Sequence, residues 1–185
     1  FNTLRKHIKV EPARYYYHCD RLGILVWQDV PSGFLPAQFV APNDEGDGIR
    51  NQTSTEQFEA ELQRIVNRLR QFASIVMWVL HNEGWGQFDT ARLVERLRSL
   101  HPGTLINATS GWLDVGAGDV IDRHDYDPSP QLPTPDGKRA LVIGEYGGVG
   151  WPIAGHLWND FASNYFQKKV SSPSCLLALS RTSLR

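Results

Sequence analysis

Two glutamates, each beside a glycine at the end of an apolar run, are the side chains of this sequence best equipped for chemistry. Glu83 closes Ile75-Val76-Met77-Trp78-Val79-Leu80-His81-Asn82, and Glu145 closes Ala140-Leu141-Val142-Ile143-Gly144. Two carboxyl groups that converge on one pocket can split a glycosidic bond, one giving a proton to the leaving oxygen and the other attacking the anomeric carbon. The two roles need different surroundings, because apolar or like-charged neighbours favour the protonated carboxyl whereas a bare nucleophile must be ionised. A Glu next to Gly is also a common turn or helix-start residue, so neither glutamate carries this reading alone.

The elements that must position them follow from the hydrophobic pattern. Continuous Ile/Val/Leu runs predict strands buried on both faces, as in a parallel sheet covered by helices, and in a β/α barrel the ends of such strands are where chemistry is done. Residues 2–10 are expected to form a strand with His7 and Lys9 at its far end, and residues 13–22 a helix entered at Pro12 and stopped at Gly23. Residues 23–29 read as the next strand, followed by a Pro- and Gly-bearing loop over 31–51 able to border a pocket. Ser54-Thr55-Glu56-Gln57 has capping-box form, and Phe58, Leu62, Ile65, Leu69 and Phe72 continue at helical spacing. After the strand that leads to Glu83, Asp89 is a candidate N-cap for a helix over 90–100 that His101-Pro102-Gly103 ends. Residues 104–108 and 119–122 read as two short strands, the second leading into His124-Asp125-Tyr126, and the Pro-rich stretch 128–135 connects to the strand of Glu145.

Composition excludes more than it selects. A formal net charge of -1 gives no electrostatic basis for binding nucleic acid or an anionic membrane, and no apolar run is long enough to span a bilayer. Cys19 and Cys175 are too few for a disulfide framework, and Cys19 reads as a small buried hydrophobe. Trp27 and Trp78 lie inside strands and are expected in the core. Asn51-Gln52-Thr53 and Asn107-Ala108-Thr109 match the glycosylation sequon, the second at a strand position that disfavours modification.

Several segments in order resemble the catalytic barrel of glycoside hydrolase family 2: Phe1-Asn2-Thr3-Leu4-Arg5-Lys6-His7-Ile8-Lys9-Val10-Glu11-Pro12, Cys19-Asp20-Arg21-Leu22-Gly23-Ile24-Leu25-Val26-Trp27-Gln28-Asp29, and Asn82-Glu83-Gly84-Trp85-Gly86-Gln87. The resemblance covers roughly residues 1–165 and implies an α/β fold, a partial TIM barrel holding about the second to seventh strands of eight. It implies a retaining exo-type β-glycosidase, related to β-galactosidases, with Glu83 as acid/base and Glu145 as nucleophile. Asn82 would bond the sugar hydroxyl beside the anomeric centre, Tyr146 would orient Glu145, and His7, His124 and Tyr126 would face the same cavity. Trp85 would offer a platform to a sugar ring. No cofactor or metal is expected, and the partner is a carbohydrate substrate. The Asn-x-Lys motif of β-glucuronidases does not occur, which disfavours a uronic acid.

The same comparison predicts a fragment. The first strand would precede Phe1, the eighth has no counterpart after Val170, and the usual β-sandwich domains are not evident, leaving a catalytic unit over 1–170 that needs these parts and a tail over 171–185. Two other readings stay open at this level. A metal-dependent barrel hydrolase would draw on His7, His81 and His124 with Asp29 or Asp125, although no His-x-His or His-Glu-x-x-His pair occurs. A carbohydrate-binding remnant would keep the aromatic pocket without turnover.

Overall fold

The computed structural model describes residues 1–33, 39–41, 46–127, 129–150, 156 and 168–169. In chain order these form β1 (Thr3–Lys6), α1 (Ala13–Leu22), β2 (Leu25–Asp29), the short strands β3 (Phe39–Val40) and β4 (Ile49–Arg50), α2 (Gln52–Leu69), β5 (Ile75–Asn82), α3 (Thr90–Leu100), β6 (Leu105–Ser110), β7 (Val120–Asp125), β8 (Ala140–Tyr146), β9 (Val149–Gly150) and β10 (Lys168–Lys169). Four strands pair in parallel in the order β1-β2-β5-β6, and β7 pairs in parallel with β8. The result is a partial β/α barrel, as the apolar runs predict. Its curl is measured by one contact: Arg5 on β1 reaches Glu145 on β8 at 2.8 Å.

The helices cover the four-stranded sheet. Tyr16 and Cys19 of α1, Phe58, Leu62, Val66 and Leu69 of α2, and Leu93, Val94 and Leu97 of α3 pack with Val26, Trp78, Leu80 and Ile106 of the strands into one core. Seven of the eight β5 residues are buried, which is what a run without polar alternation requires. Trp78 is fully buried and its Nε1 donates to His101 Nδ1 at 3.1 Å, whereas Trp27 is only half-buried. Burial, and then the charge of Arg70, lowers the pKa of His101 and keeps that nitrogen available as an acceptor.

Among the described residues no helix follows β6 or β7, and side chains close the seam that a ladder would otherwise hold. Asp119 donates its backbone N–H to the Ile106 carbonyl (2.8 Å), while its carboxylate accepts from the Ile106 N–H (2.7 Å) and from Arg98 (2.8 Å). Higher on the same seam, Asp122 of β7 accepts from Asn107 (2.6 Å) and Ser110 (2.7 Å) of β6. Gly118, at φ 82°, permits the tight return, since a Cβ there would stand 2.7 Å from the Ile106 carbonyl oxygen.

Element ends depart from expectation where a tertiary partner intervenes. α1 runs as predicted and stops at Gly23, whose φ of 68° is the left-handed turn that residue makes easily. α2 starts earlier than its capping-box pattern, because Asn51 Oδ1 accepts from the Ser54 N–H (2.9 Å) and serves as N-cap; the helix ends at Leu69, short of Phe72. Asp89 precedes α3 but its carboxylate binds Arg92, and Asp47 caps the helix instead, accepting from the Thr90 N–H (2.7 Å) and hydroxyl. β1 stops at Lys6 instead of running to Val10, and Ile8 adopts φ 52°. His124 and Glu145 lie within β7 and β8, not beyond their ends, because the β7–β8 ladder extends through the shifted pairing His124↔Glu145 to Asp125↔Tyr146. Asn107 is buried within β6, and Cys19 is buried with a free thiol. Cys175 and the tail over 171–185 lie outside the described residues, as does part of the loop over 31–51.

His81 shows what core position does to a titratable group. Its ring stacks on Phe58 with centroids 6.0 Å apart and leans on Phe88 at 6.1 Å. Burial pushes its pKa down to about 4 from 6.5. Between those values the unfolded chain binds a proton that the folded one refuses, so stability falls as pH falls from about 6.5 to about 4, by up to roughly 3 kcal/mol. Urea unfolding at about pH 7 and about pH 4.5 measures the loss, and His81→Phe is expected to remove most of it; an undiminished loss in the variant would assign the acid sensitivity elsewhere.

Candidate active site

Local backbone geometry aims the two glutamates at one place. Asn82 ends β5, and Glu83 then takes φ 52°, the left-handed region in which a residue with a side chain is uncommon. Its N–H donates to the Ser110 carbonyl (2.8 Å), and Trp85 N–H returns to the Asn82 carbonyl (2.9 Å), with Gly84 at φ 74° and Gly86 at φ 64° completing the turn. On β8, Gly144 lies against Asp122: its N–H donates to Asp122 Oδ1 at 2.6 Å, and a Cβ at this position would overlap the carboxylate. Glycine beside Glu145 is thus a requirement of β7–β8 packing.

Oxygens of Glu83 and Glu145 and a nitrogen of His124 lie within 4.8 Å of one another. The Tyr126 hydroxyl joins the carboxyl groups, 2.7 Å from Glu145 Oε2 and 3.2 Å from Glu83 Oε1. Burial, then the hydrogen bond and charge of Glu145, push the Tyr126 pKa well above its ordinary value, so this hydroxyl stays protonated and donates. The His124 side chain is fully buried, with Nδ1 2.8 Å from Glu83 Oε1 and 3.8 Å from Glu145 Oε1. Three such ligand-capable groups can gather round a cation, but here the positive charge is the protein's own. Arg5 Nη1 donates to Glu145 Oε1 at 2.8 Å and stands 3.3 Å from His124 Nε2.

Arg5 is itself held at its other edge. Nε and Nη2 donate to the two oxygens of Asp29 at 3.1 and 3.0 Å, and Nη2 also donates to Asn82 Oδ1 at 2.7 Å. Asp29 is nearly inaccessible, and it further accepts from the Ile8 N–H (3.2 Å) and meets His7 Nδ1 (3.0 Å). The left-handed Ile8 backbone, costly for a β-branched residue, is what brings that N–H and His7 onto Asp29. Burial opposes the Arg5 charge, but the hydrogen bond and charge of Asp29 and the charge of Glu145 outweigh it and hold the guanidinium pKa above its ordinary value.

Of the residues singled out in the sequence, Glu83, Glu145, Asn82, His124 and Tyr126 therefore meet in one network. His7 joins at one remove, through Asp29, with half its side chain exposed. Tyr146 does not approach Glu145 in the expected way: it is 53% exposed, and the hydroxyl that bonds Glu145 is that of Tyr126. Trp85 is 61% exposed beside the turn that carries Glu83, where Trp112, after β6, is also exposed. His81 sits in the aromatic core and His7 on Asp29, so the metal set drawn from His7, His81 and His124 does not assemble. The sequence reading passed over Arg5, Ser110 and Asp122, and it took Asp29 only as a possible metal ligand. The signal for Arg5 was its place two residues before His7 on a strand, which puts both on one face; the others lie in strands that read only as apolar or short.

Compared with known proteins, residues 1–129 match the family described as glycosyl hydrolases family 2, TIM barrel domain. Among solved structures, the β-D-mannosidase from Dictyoglomus thermophilum is similar at 24% identity with a TM-score of 0.48, over 68% of this chain and 16% of that one. The chain thus spans about 16% of the length of that protein. No curated protein matches the sequence.

The Arg5 network has a measurable cost of disruption. Arg5→Ala leaves Asp29 buried without its guanidinium partner, and the unfolding free energy is expected to fall by about 3 kcal/mol, since breaking a buried pair strands a charge. Arg5→Ala with Asp29→Ala should recover part of that loss in urea denaturation. A double variant no more stable than the additive sum of the single changes would show that the pair is not coupled.

Proposed function

The chain belongs to glycosyl hydrolase family 2, and on that premise we propose that it carries the catalytic carboxylates of a retaining, exo-type β-glycoside hydrolase, Glu83 as acid/base and Glu145 as nucleophile. One observation carries the reading: oxygens of the two glutamates approach within 4.8 Å. Retaining enzymes hold their carboxyl groups about 5 to 5.5 Å apart, whereas inverting enzymes need room for a water between them, about 6.5 to 9.5 Å.

The network divides the labour. Arg5 donates to Glu145 Oε1 and Tyr126 to Glu145 Oε2, orienting the carboxylate for attack on the anomeric carbon. As that C–O bond forms, the bond to the leaving oxygen breaks and Glu83 supplies the proton that the departing alkoxide needs. In the second half a water gives its proton to Glu83 and its oxygen to the anomeric carbon, releasing Glu145. Asn82, held by Arg5, is the candidate donor to the neighbouring sugar hydroxyl through its amide NH2, since its Oδ1 is already engaged. Trp85 and Trp112 offer exposed aromatic faces for a sugar ring.

The test separates the two roles in the full-length protein. Glu145→Ala is expected to abolish the covalent glycosyl-enzyme and hydrolysis of every glycoside. Glu83→Ala should slow the glycosylation step with alkyl β-glycosides by roughly 10²- to 10⁴-fold and spare dinitrophenyl β-glycosides, whose leaving groups need no proton. Equal slowing of both substrate types in glycosylation would remove Glu83 from the acid role. A panel of nitrophenyl β-galactosides, β-glucosides and β-mannosides then identifies the sugar.

A further inference from the structure

Tyr126 has to place a hydroxyl on two carboxylates from just beyond the end of a ladder. β7 stops at Asp125, so Tyr126 is the first residue past the strand. Its hydroxyl nevertheless meets Glu145 Oε2 at 2.7 Å and Glu83 Oε1 at 3.2 Å. A tyrosine side chain is long, and a small rotation of its backbone swings the hydroxyl off both oxygens. The ring leans edge-on toward His124, with centroids 6.4 Å apart, a contact that limits its tilt but does not fix the main chain.

The main chain is fixed by the residue before it. Asp125 Oδ1 accepts the N–H of Asp127 at 3.0 Å, which closes an Asx turn with Tyr126 at its centre. Asp125 Oδ2 accepts the N–H of Gln131, also at 3.0 Å, and meets Arg123 Nη2 at 3.2 Å. One buried carboxylate thus grips the chain at two points after Tyr126. His124 points at Glu83, and strand alternation turns Asp125 to the opposite face, so its influence on the glutamates runs through the backbone that it holds.

Resting on the glycosidase reading, we propose that Asp125 is a positioning residue for that reaction: its carboxylate closes the turn centred on Tyr126 and so keeps the tyrosine hydroxyl on the nucleophile. The requirement is one of geometry. The turn needs an acceptor oxygen at the length of an Asp or Asn side chain, whereas Glu keeps the charge but is one methylene too long. Charge is a minor part of the device, because the Arg123 side chain that pairs with the same carboxylate is about half exposed. With the turn open, Glu145 keeps the Arg5 bond on Oε1 and loses the Tyr126 bond on Oε2, and attack on the anomeric carbon slows. About 1 Å of misplacement in such a site can cost up to about 100-fold in rate.

NMR of the full-length protein labelled with ¹³Cζ-tyrosine reads the hydroxyl without turnover, Tyr126 being assigned by the signal lost in Tyr126→Phe. Asp125→Asn is expected to leave that signal in place, and Asp125→Glu and Asp125→Ala to move it toward the position of a solvent-exposed tyrosine. A dinitrophenyl β-glycoside needs no proton from Glu83 and so isolates the nucleophile. On it kcat/KM should fall roughly tenfold in Asp125→Glu and Asp125→Ala, and at most about threefold in Asp125→Asn. Arg123→Ala should change it by less than about twofold. In a Tyr126→Phe background Asp125→Glu should cost at most about twofold more, because the group it positions is gone. An unmoved tyrosine signal in Asp125→Glu, equal losses in Asp125→Asn and Asp125→Glu, or losses fully additive with Tyr126→Phe overturn the proposal. So does an Arg123→Ala loss as large as that of Asp125→Ala, which would make the ion pair the operative contact. If Asp125→Ala does not fold, the Asn and Glu variants decide. If the wild-type protein cleaves no glycoside, the glycosidase reading falls, and the tyrosine signal still decides whether Asp125 holds the hydroxyl.

Discussion

A single guanidinium holds the interior of this partial barrel together. Arg5 stands on the first strand and bonds Asp29 on the second, Asn82 on the third of the four-stranded sheet, and Glu145 on β8. A charge taken out of water is tolerated only when its partners satisfy it, and without Arg5 the oxygens Asn82 Oδ1, Asp29 Oδ1 and Glu145 Oε1 would lose the donor that satisfies them. The same group prevents the glutamates from being two like charges in isolation. Curvature of the sheet and electrostatics of the site are therefore one problem with one solution, since the strands must curl for a side chain on β1 to reach β8.

The second constraint is the seam between β6 and β7, where backbone pairing stops. Asp119 and Asp122 replace the missing ladder with carboxylate acceptors, one closing the lower end and the other the upper. Asp122 has a double use. It joins β6 to β7 and β8 through Asn107, Ser110 and Gly144, and it holds the Ser110 hydroxyl that meets His124 Nε2 at 2.9 Å. Structural closure of a gap in the sheet and the support of His124 beside Glu83 thus share one carboxylate.

Strain is stored at the same places. The non-glycine residues with left-handed backbones include Ile8, two residues past β1, and Glu83, directly after β5, each held by an N–H bond, to Asp29 and to the Ser110 carbonyl respectively. An isolated left-handed residue costs of order 1 kcal/mol or more. At both positions the turn redirects the chain so that a neighbouring or own side chain points into the barrel instead of along the strand.

Much of this was legible in the residues alone. The uninterrupted apolar runs of β5 and β8, the Pro12 and Gly23 that bracket α1, and the periodic Phe58, Leu62 and Leu69 of α2 are local signals, because strand burial and helix entry depend on neighbouring side chains. The repeated pairing of Glu with Gly at strand ends likewise marked Glu83 and Glu145 before any coordinates. Tertiary structure decided what depends on partners distant in sequence. Asp47 caps α3 from 43 positions away, Arg5 meets Glu145 across 140, and Tyr126 takes the place beside Glu145 that adjacency had assigned to Tyr146. Adjacent residues on a strand point to opposite faces, so the neighbour of a catalytic side chain in sequence is turned away from it, and its true partner comes from another strand. Ser110 was invisible for a related reason: a serine in a short strand has no local pattern, and its contacts exist only where a histidine and an aspartate from β7 close on its two sides.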